Sequence, residues 1–175
     1  MKHSQALPST FRIRRRPAGL CYDGAVNLFE EFQGVVAALE GAGVEYALVG
    51  GLAVAVWGAP RATKDMDFLV RAEDLEKAMA AIHACGFTLT ALPIEFKDGT
   101  TMQRVNKVDA AGDLMTVDFM LVDRNLEKAW TSRSRLAFGM GVVSVISRDA
   151  LIDMKARAAR PQDAMDIQNL REGDR

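Results

Sequence analysis

The sequence predicts an α/β fold of the α+β kind: a small mixed β-sheet flanked by helices, with a C-terminal helical extension. Three observations predict it. An apolar run over residues 45–49 meets Gly50-Gly51, a small-residue helical segment follows to Trp57, and Asp65 opens a second apolar run. Residues 87–122 read as strands around two glycine-containing turns, as in a meander. Residues 147–175 carry helix signals and no strand signal.

The 175 residues suffice for one domain with a sizeable core. A net charge of −1 predicts no global pull toward nucleic acid or membrane, so any polyanion site must be a local patch. Cys21 and Cys85 are the only cysteines, and they form no Cys-x-x-Cys pair. That suits a reducing compartment, the cytoplasm, and argues against a disulfide framework or a zinc site. No apolar stretch approaches the roughly 18 residues of a membrane span, so no membrane partner is expected.

Residues 1–22 hold Lys2, Arg12, Arg14, Arg15 and Arg16 with no acid before Asp23, and are expected to form a basic, flexible N-terminal arm. Val26, Phe29, Phe32, Val36 and Leu39 have helical spacing, and Gly41 and Gly43 end that helix. The first strand follows over 45–49. After the second, a helix is expected over 72–85, with Glu73 and Asp74 in its first turn and Gly86 at its end. Residues 87–96 are expected to form one strand, bent or at an edge because of Pro93. Strands over 101–108 and 114–122 complete the meander. Residues 125–135 are expected to be helical and basic, and 142–146 a last strand. Ser147 should cap a helix over 148–159, and Pro161 should start the final one.

The candidate chemistry lies in Asp65-Met66-Asp67. Residues i and i+2 on a strand share a face, so the two carboxylates project together while Met66 points to a core. Adjacent carboxylates repel, and a divalent cation such as Mg²⁺ is the simplest resolution. Gly50-Gly51 at a strand-to-helix turn lets backbone N–H groups approach an anion. Asp118 is the lone acid in the apolar strand LMTVDFMLV, where an uncompensated carboxylate is costly. Nothing local explains it, so its removal is expected to leave stability unchanged or improved.

In its order of Gly-Gly turn, short helix and Asp-x-Asp, the stretch GGLAVAVWGAPRATKDMDFLV resembles the signature of the nucleotidyltransferase superfamily, the polymerase-beta-like fold. Within it, the stretch looks most similar to the AbiEii-type toxins of type IV toxin–antitoxin systems. ALIDMKARAARPQDAMDIQNL resembles a late motif of those proteins, through Leu151-Ile152, Lys155, Arg160, Asp163, Asp166 and Leu170. The resemblance implies a nucleotidyltransferase domain over 23–146, with the helices of 147–175 packed on it. It implies catalytic and metal-binding Asp65, Asp67 and Asp118 around two Mg²⁺ ions, or Mn²⁺. It implies nucleotide contacts from Gly50, Gly51, Thr63, Lys155 and Asp163, with Lys155 on the phosphates. The reaction implied is transfer of NMP from an NTP to an acceptor hydroxyl with release of pyrophosphate. RNA or tRNA, for a toxin with a cognate antitoxin, is the expected acceptor. A small hydroxyl compound such as an antibiotic is the alternative, and a non-catalytic nucleotide-binding or antitoxin-interacting domain is a third reading.

Overall fold

A computed structural model describes residues 28–109 and 112–172. The basic arm expected over residues 1–22 lies outside the described residues. Eight strands form one mixed sheet: β1 (Tyr46–Val49), β2 (Asp65–Val70), β3 (Leu89–Thr90), β4 (Ile94–Glu95), β5 (Thr101–Val108), β6 (Leu114–Leu121), β7 (Ser134–Phe138) and β8 (Gly141–Val145). Their order is β3-β5-β6-β2-β1-β8-β7, with β4 also on β5. The contacts β2–β6 and β1–β8 are parallel and the others antiparallel. Among the described residues six α-helices accompany it: α1 (Leu28–Gly41), α2 (Gly50–Val56), α3 (Leu75–His83), α4 (Glu127–Thr131), α5 (Arg148–Ala158) and α6 (Pro161–Glu172). No helix among the described residues is long and apolar enough to cross a membrane.

The alternation of β2 sorts the two faces of the sheet. Met66, Phe68 and Val70 are fully buried. Phe68 meets Phe32 of α1 in a stacked pair with centroids 6.2 Å apart, Tyr46 edge-on at 5.6 Å, and Phe119 of β6 at 6.1 Å. The face of Asp65 and Asp67 meets the start of α2 instead, because α2 begins directly over Asp67. Helices therefore lie on both sides of the sheet. A buried parallel strand needs both faces covered, and β2 is enclosed between β1 and β6.

Two stretches depart from the sequence expectation. Residues 87–96 form two short pieces, β3 and β4, on either side of Ala91–Pro93. Pro93 has no N–H to offer a ladder, and the Gln103 side chain donates to the Ala91 carbonyl at 2.7 Å in the gap. The expected helix over 125–135 stops at Thr131, and Ser134–Phe138 pairs with β8 as a hairpin. Gly139, at φ +62, makes that reversal, and a Cβ there would strike the Phe29 ring. The aromatic cluster at Phe68 sets the core. Phe68→Ala should lower the unfolding free energy by about 3–5 kcal/mol, read as a lower urea midpoint at unchanged m-value.

Candidate active site

Parallel pairing of β2 with β6 places Asp65 opposite Thr116 and Asp67 opposite Asp118. Cross-strand partners share a face, so Asp65, Asp67 and Asp118 stand on one side of the sheet. Above them is the turn from β1 into α2. Gly50 holds φ +66, and a Cβ there would overlap the Asp67 carboxylate. The turn requires glycine on both counts. A Cβ on Gly51 would come within 2.7 Å of Thr63 Oγ1 and 2.9 Å of Thr63 Cβ. Residues Gly50, Gly51 and Thr63 are thus packed against one another beside Asp67. The first turn of α2 has no side-chain cap and no acid, so its leading N–H groups remain available to an anion.

Crowding has an electrostatic consequence. The Asp67 carboxyl is pushed up to about 7, first by burial and then by the charges of Asp118 and Asp65. Arg160 and Lys155 oppose that shift only in part. Asp118 is treated differently. Arg104 on β5, its register partner, donates from Nε to Asp118 Oδ1 at 2.8 Å and from Nη2 to Oδ2 at 2.7 Å. The Asp118 side chain is 4% exposed and that of Arg104 38%. This bidentate pair explains the acid that the sequence left unexplained, and it corrects the expectation that removing Asp118 leaves stability unchanged or improved. It also raises the Arg104 guanidinium, through the hydrogen bonds to Asp118 against the cost of burial.

The late motif folds into an ionic chain. Lys155 is buried, and its Nζ lies 2.6 Å from Asp166 Oδ2 and 3.3 Å from Asp163 Oδ1. Arg61 Nε donates to Asp166 Oδ1 at 2.7 Å, and Arg160 Nε to Asp163 Oδ2 at 2.8 Å. Burial alone would raise both carboxyls. The hydrogen bonds outweigh it and hold Asp163 and Asp166 below the usual carboxylate range. Lys155 and Asp163, expected at the nucleotide, are inside this chain, with Lys155 joining α5 to α6.

Chemically, the Asp65–Asp67 pair fits a hard divalent cation. Its donors are oxygens, and the raised Asp67 carboxyl marks a place where positive charge is missing. Among the described residues no three acid, His or Cys side chains are gathered to hold an ion, and both Asp118 oxygens already accept from Arg104. A cavity of about 440 Å³ lies at the other end of β1, beside Tyr46, but its Arg133 and Arg135 are paired with Glu45 and Glu40. The acids are not part of it.

Sequence reasoning missed Arg104, Arg61 and Arg160 as partners of the site. Arg104 was within reach: folding strands 101–108 and 114–121 about the turn at 109–113 sets it opposite Asp118. Arg61 depends on how α6 docks, which no local pattern gives, whereas Arg160 pairs locally with Asp163 three residues on.

A mixed sheet carrying Asp-x-Asp beneath a Gly-Gly turn, with a further acid on the neighbouring parallel strand, is the arrangement that the resemblance to nucleotidyltransferases implies. A family model for aminoglycoside-2''-adenylyltransferase matches residues 31–170, and the chain belongs to that family. No match was found among curated proteins. Solved structures share the fold. The lincosamide antibiotic adenylyltransferase LnuA, in its lincomycin-bound crystal structure, is 16% identical with a TM-score of 0.58, covering 85% of this chain and 98% of its own. ANT(2'')-Ia in complex with adenylyl-2''-tobramycin is 15% identical with a TM-score of 0.55, covering 79% and 84%. TM1012 from Thermotoga maritima is 13% identical with a TM-score of 0.59, covering 80% and 89%. The family matched is that of adenylyltransferases, not the AbiEii-type toxins.

Two outcomes follow for the protein without metal. The folded state holds on Asp67 a proton that the unfolded chain releases, since the carboxyl rises from 3.8 to about 7. Stability should therefore fall as pH rises through that window, by at most about 1.4 kcal/mol per pH unit. Urea midpoints across the window should decline for the wild type and stay flatter for Asp67→Asn; equal slopes would mean that Asp67 ionises normally. Asp118→Ala should cost about 1–3 kcal/mol, the scale of lost hydrogen bonds to a charged group. Arg104 can turn toward solvent, so the same unfolding series should show no larger loss.

Proposed function

We propose that the protein transfers a nucleoside monophosphate, AMP from ATP, to a hydroxyl of a small antibiotic-like molecule and releases pyrophosphate. The observation that carries the reading is the Asp65–Asp67 pair beneath Gly50, in register with Asp118. Membership of the adenylyltransferase family supports the small acceptor. Asp65 and Asp67 would hold Mg²⁺, or Mn²⁺ in its place. When bound, the ion neutralises charge on the triphosphate and steadies the leaving pyrophosphate. Gly50 and Gly51 bring backbone N–H groups up to the phosphates without a side chain in the way. Thr63, packed on Gly51, closes the same turn. Asp118 keeps a second lone pair on each oxygen beyond those taken by Arg104, and so can accept a hydrogen bond from the acceptor hydroxyl and take its proton. Arg104 fixes the plane of that carboxylate through its two hydrogen bonds.

The RNA-directed toxin reading draws less support. Among the described residues, basic side chains of 124–135 and 155–160 are paired with acids: Lys128 with Asp153, Arg133 with Glu45, Arg135 with Glu40, and Lys155 and Arg160 with Asp163. Such pairing lowers the local positive potential that a phosphate backbone requires.

Labelled ATP and Mg²⁺ should be incubated with a panel of aminoglycosides, lincosamides and, separately, tRNA. Transfer of label to a small acceptor is expected, with pyrophosphate released in equal amount. Asp65→Asn and Asp67→Asn should each lower kcat at least 10²-fold, the scale for loss of a charge-stabilising group in a transition state. Label on tRNA alone would favour the toxin reading, and no label in any arm would remove the catalytic one.

A further inference from the structure

We propose that Arg61 and Arg160 form a clamp for the triphosphate of the nucleotide, and that Lys155 acts as a positioning residue that does not touch it. The inference deepens the nucleotidyl-transfer reading above and rests on it. Its basis is the order of charges along the ionic chain: Arg61, Asp166, Lys155, Asp163, Arg160. Three cations meet two carboxylates, so the chain carries one positive charge in excess. Lys155 and the two acids in the middle are at most 3% exposed, whereas the end side chains are 26% exposed at Arg61 and 58% at Arg160. The uncompensated charge therefore sits where solvent or a ligand can meet it.

Both ends belong to the site. Arg61 Nη1 lies 3.3 Å from the position a Cβ on Gly51 would take. Arg160 is tied to Arg61 through the unbroken ion-pair chain of Asp163, Lys155 and Asp166. The donors are not exhausted. A guanidinium has five N–H groups. Among the described residues Arg61 uses Nε on Asp166 and Nη1 on the Ala62 carbonyl, and Arg160 uses Nε and Nη2 on Asp163. Each retains N–H groups for a further acceptor, and a planar fork suits phosphate oxygens. Lys155 is differently placed. Its amine is buried, and two carboxylates already take it. What it does is hold Asp163 and Asp166 at fixed positions, and each of those acids aligns one arginine. Transferred charge ends on pyrophosphate, so cations there would stabilise the leaving group.

Calorimetric binding of ATP, pyrophosphate and adenosine, each with Mg²⁺, tests the clamp in the full chain. Arg61→Met and Arg160→Met should each weaken ATP and pyrophosphate at least tenfold, leave adenosine unchanged, and raise KM for ATP more than they lower kcat. Arg61→Lys should recover part of the loss. Lys155→Met should lower the melting temperature and, at temperatures where it is fully folded, weaken pyrophosphate binding while sparing adenosine. If it does not fold, Asp166→Asn, of the same shape, should weaken pyrophosphate binding in its place. Unchanged ATP and pyrophosphate affinity in both arginine variants, with the wild type binding both, would overturn the clamp and leave nucleotidyl transfer standing. A wild type that binds neither would overturn both.

Discussion

Like-charge crowding at the junction of β2 and β6 is the constraint from which most of the surrounding structure can be understood. Asp67 faces Asp118 across a parallel ladder, has Asp65 on its own face, and lies under the backbone of Gly50. A chain selected only for stability would place apolar groups there, because buried acids of one sign raise the free energy of the folded state. The strain is tolerable because the opposite face of the same strand is among the best packed parts of the molecule, with Phe68 surrounded by Phe32, Tyr46 and Phe119. One strand thus carries the strongest apolar contacts on one side and the costliest polar ones on the other.

The counter-charges are arranged so that they relieve the crowding without abolishing it. Arg104 neutralises Asp118 alone, in a fork that fixes a planar carboxylate. On the other flank, Lys155 and Arg160 lower Asp67's carboxyl only in part, because Asp163 and Asp166 absorb most of their charge. The result is a graded site: one acid is paired with an arginine, and the two on β2 are not. Pairing every acid within the protein would give a more stable sheet and a poorer site.

How much of this was legible in the sequence follows from the range of the interactions involved. The Gly-Gly turn, the Asp-x-Asp pair and the alternation of β2 are local, and the period of two together with the glycine requirement make them readable. Asp118 stood out because an acid within an apolar strand is anomalous, yet its Arg104 partner needed the hairpin register to be worked through. The helix expected over 125–135 failed at Ser134 because the competing interaction, pairing with β8, lies beyond the segment itself. The roles of Arg61 and Lys155 were the least accessible. They depend on α6 packing against the loop before β2, a contact spanning 105 positions for Arg61 and Asp166, and a lysine in a motif looks the same whether it ends in solvent or between two acids.

That long separation also orders events in time. A ribosome releases the chain from its N-terminal side, so Asp65 and Asp67 emerge well before Asp163 and Asp166 are joined to it. Until α6 is made, Arg61 lacks the acid that aligns it and Lys155 has no buried carboxylate to meet. The nascent sheet must therefore carry its crowded acids without their full set of neighbours, in a partly hydrated and incompletely docked state. The ionic chain is finished by one of the last helices to be translated, so its order arrives after the sheet it flanks, and a transcript broken ahead of α6 would leave Arg61 and Lys155 without their acids.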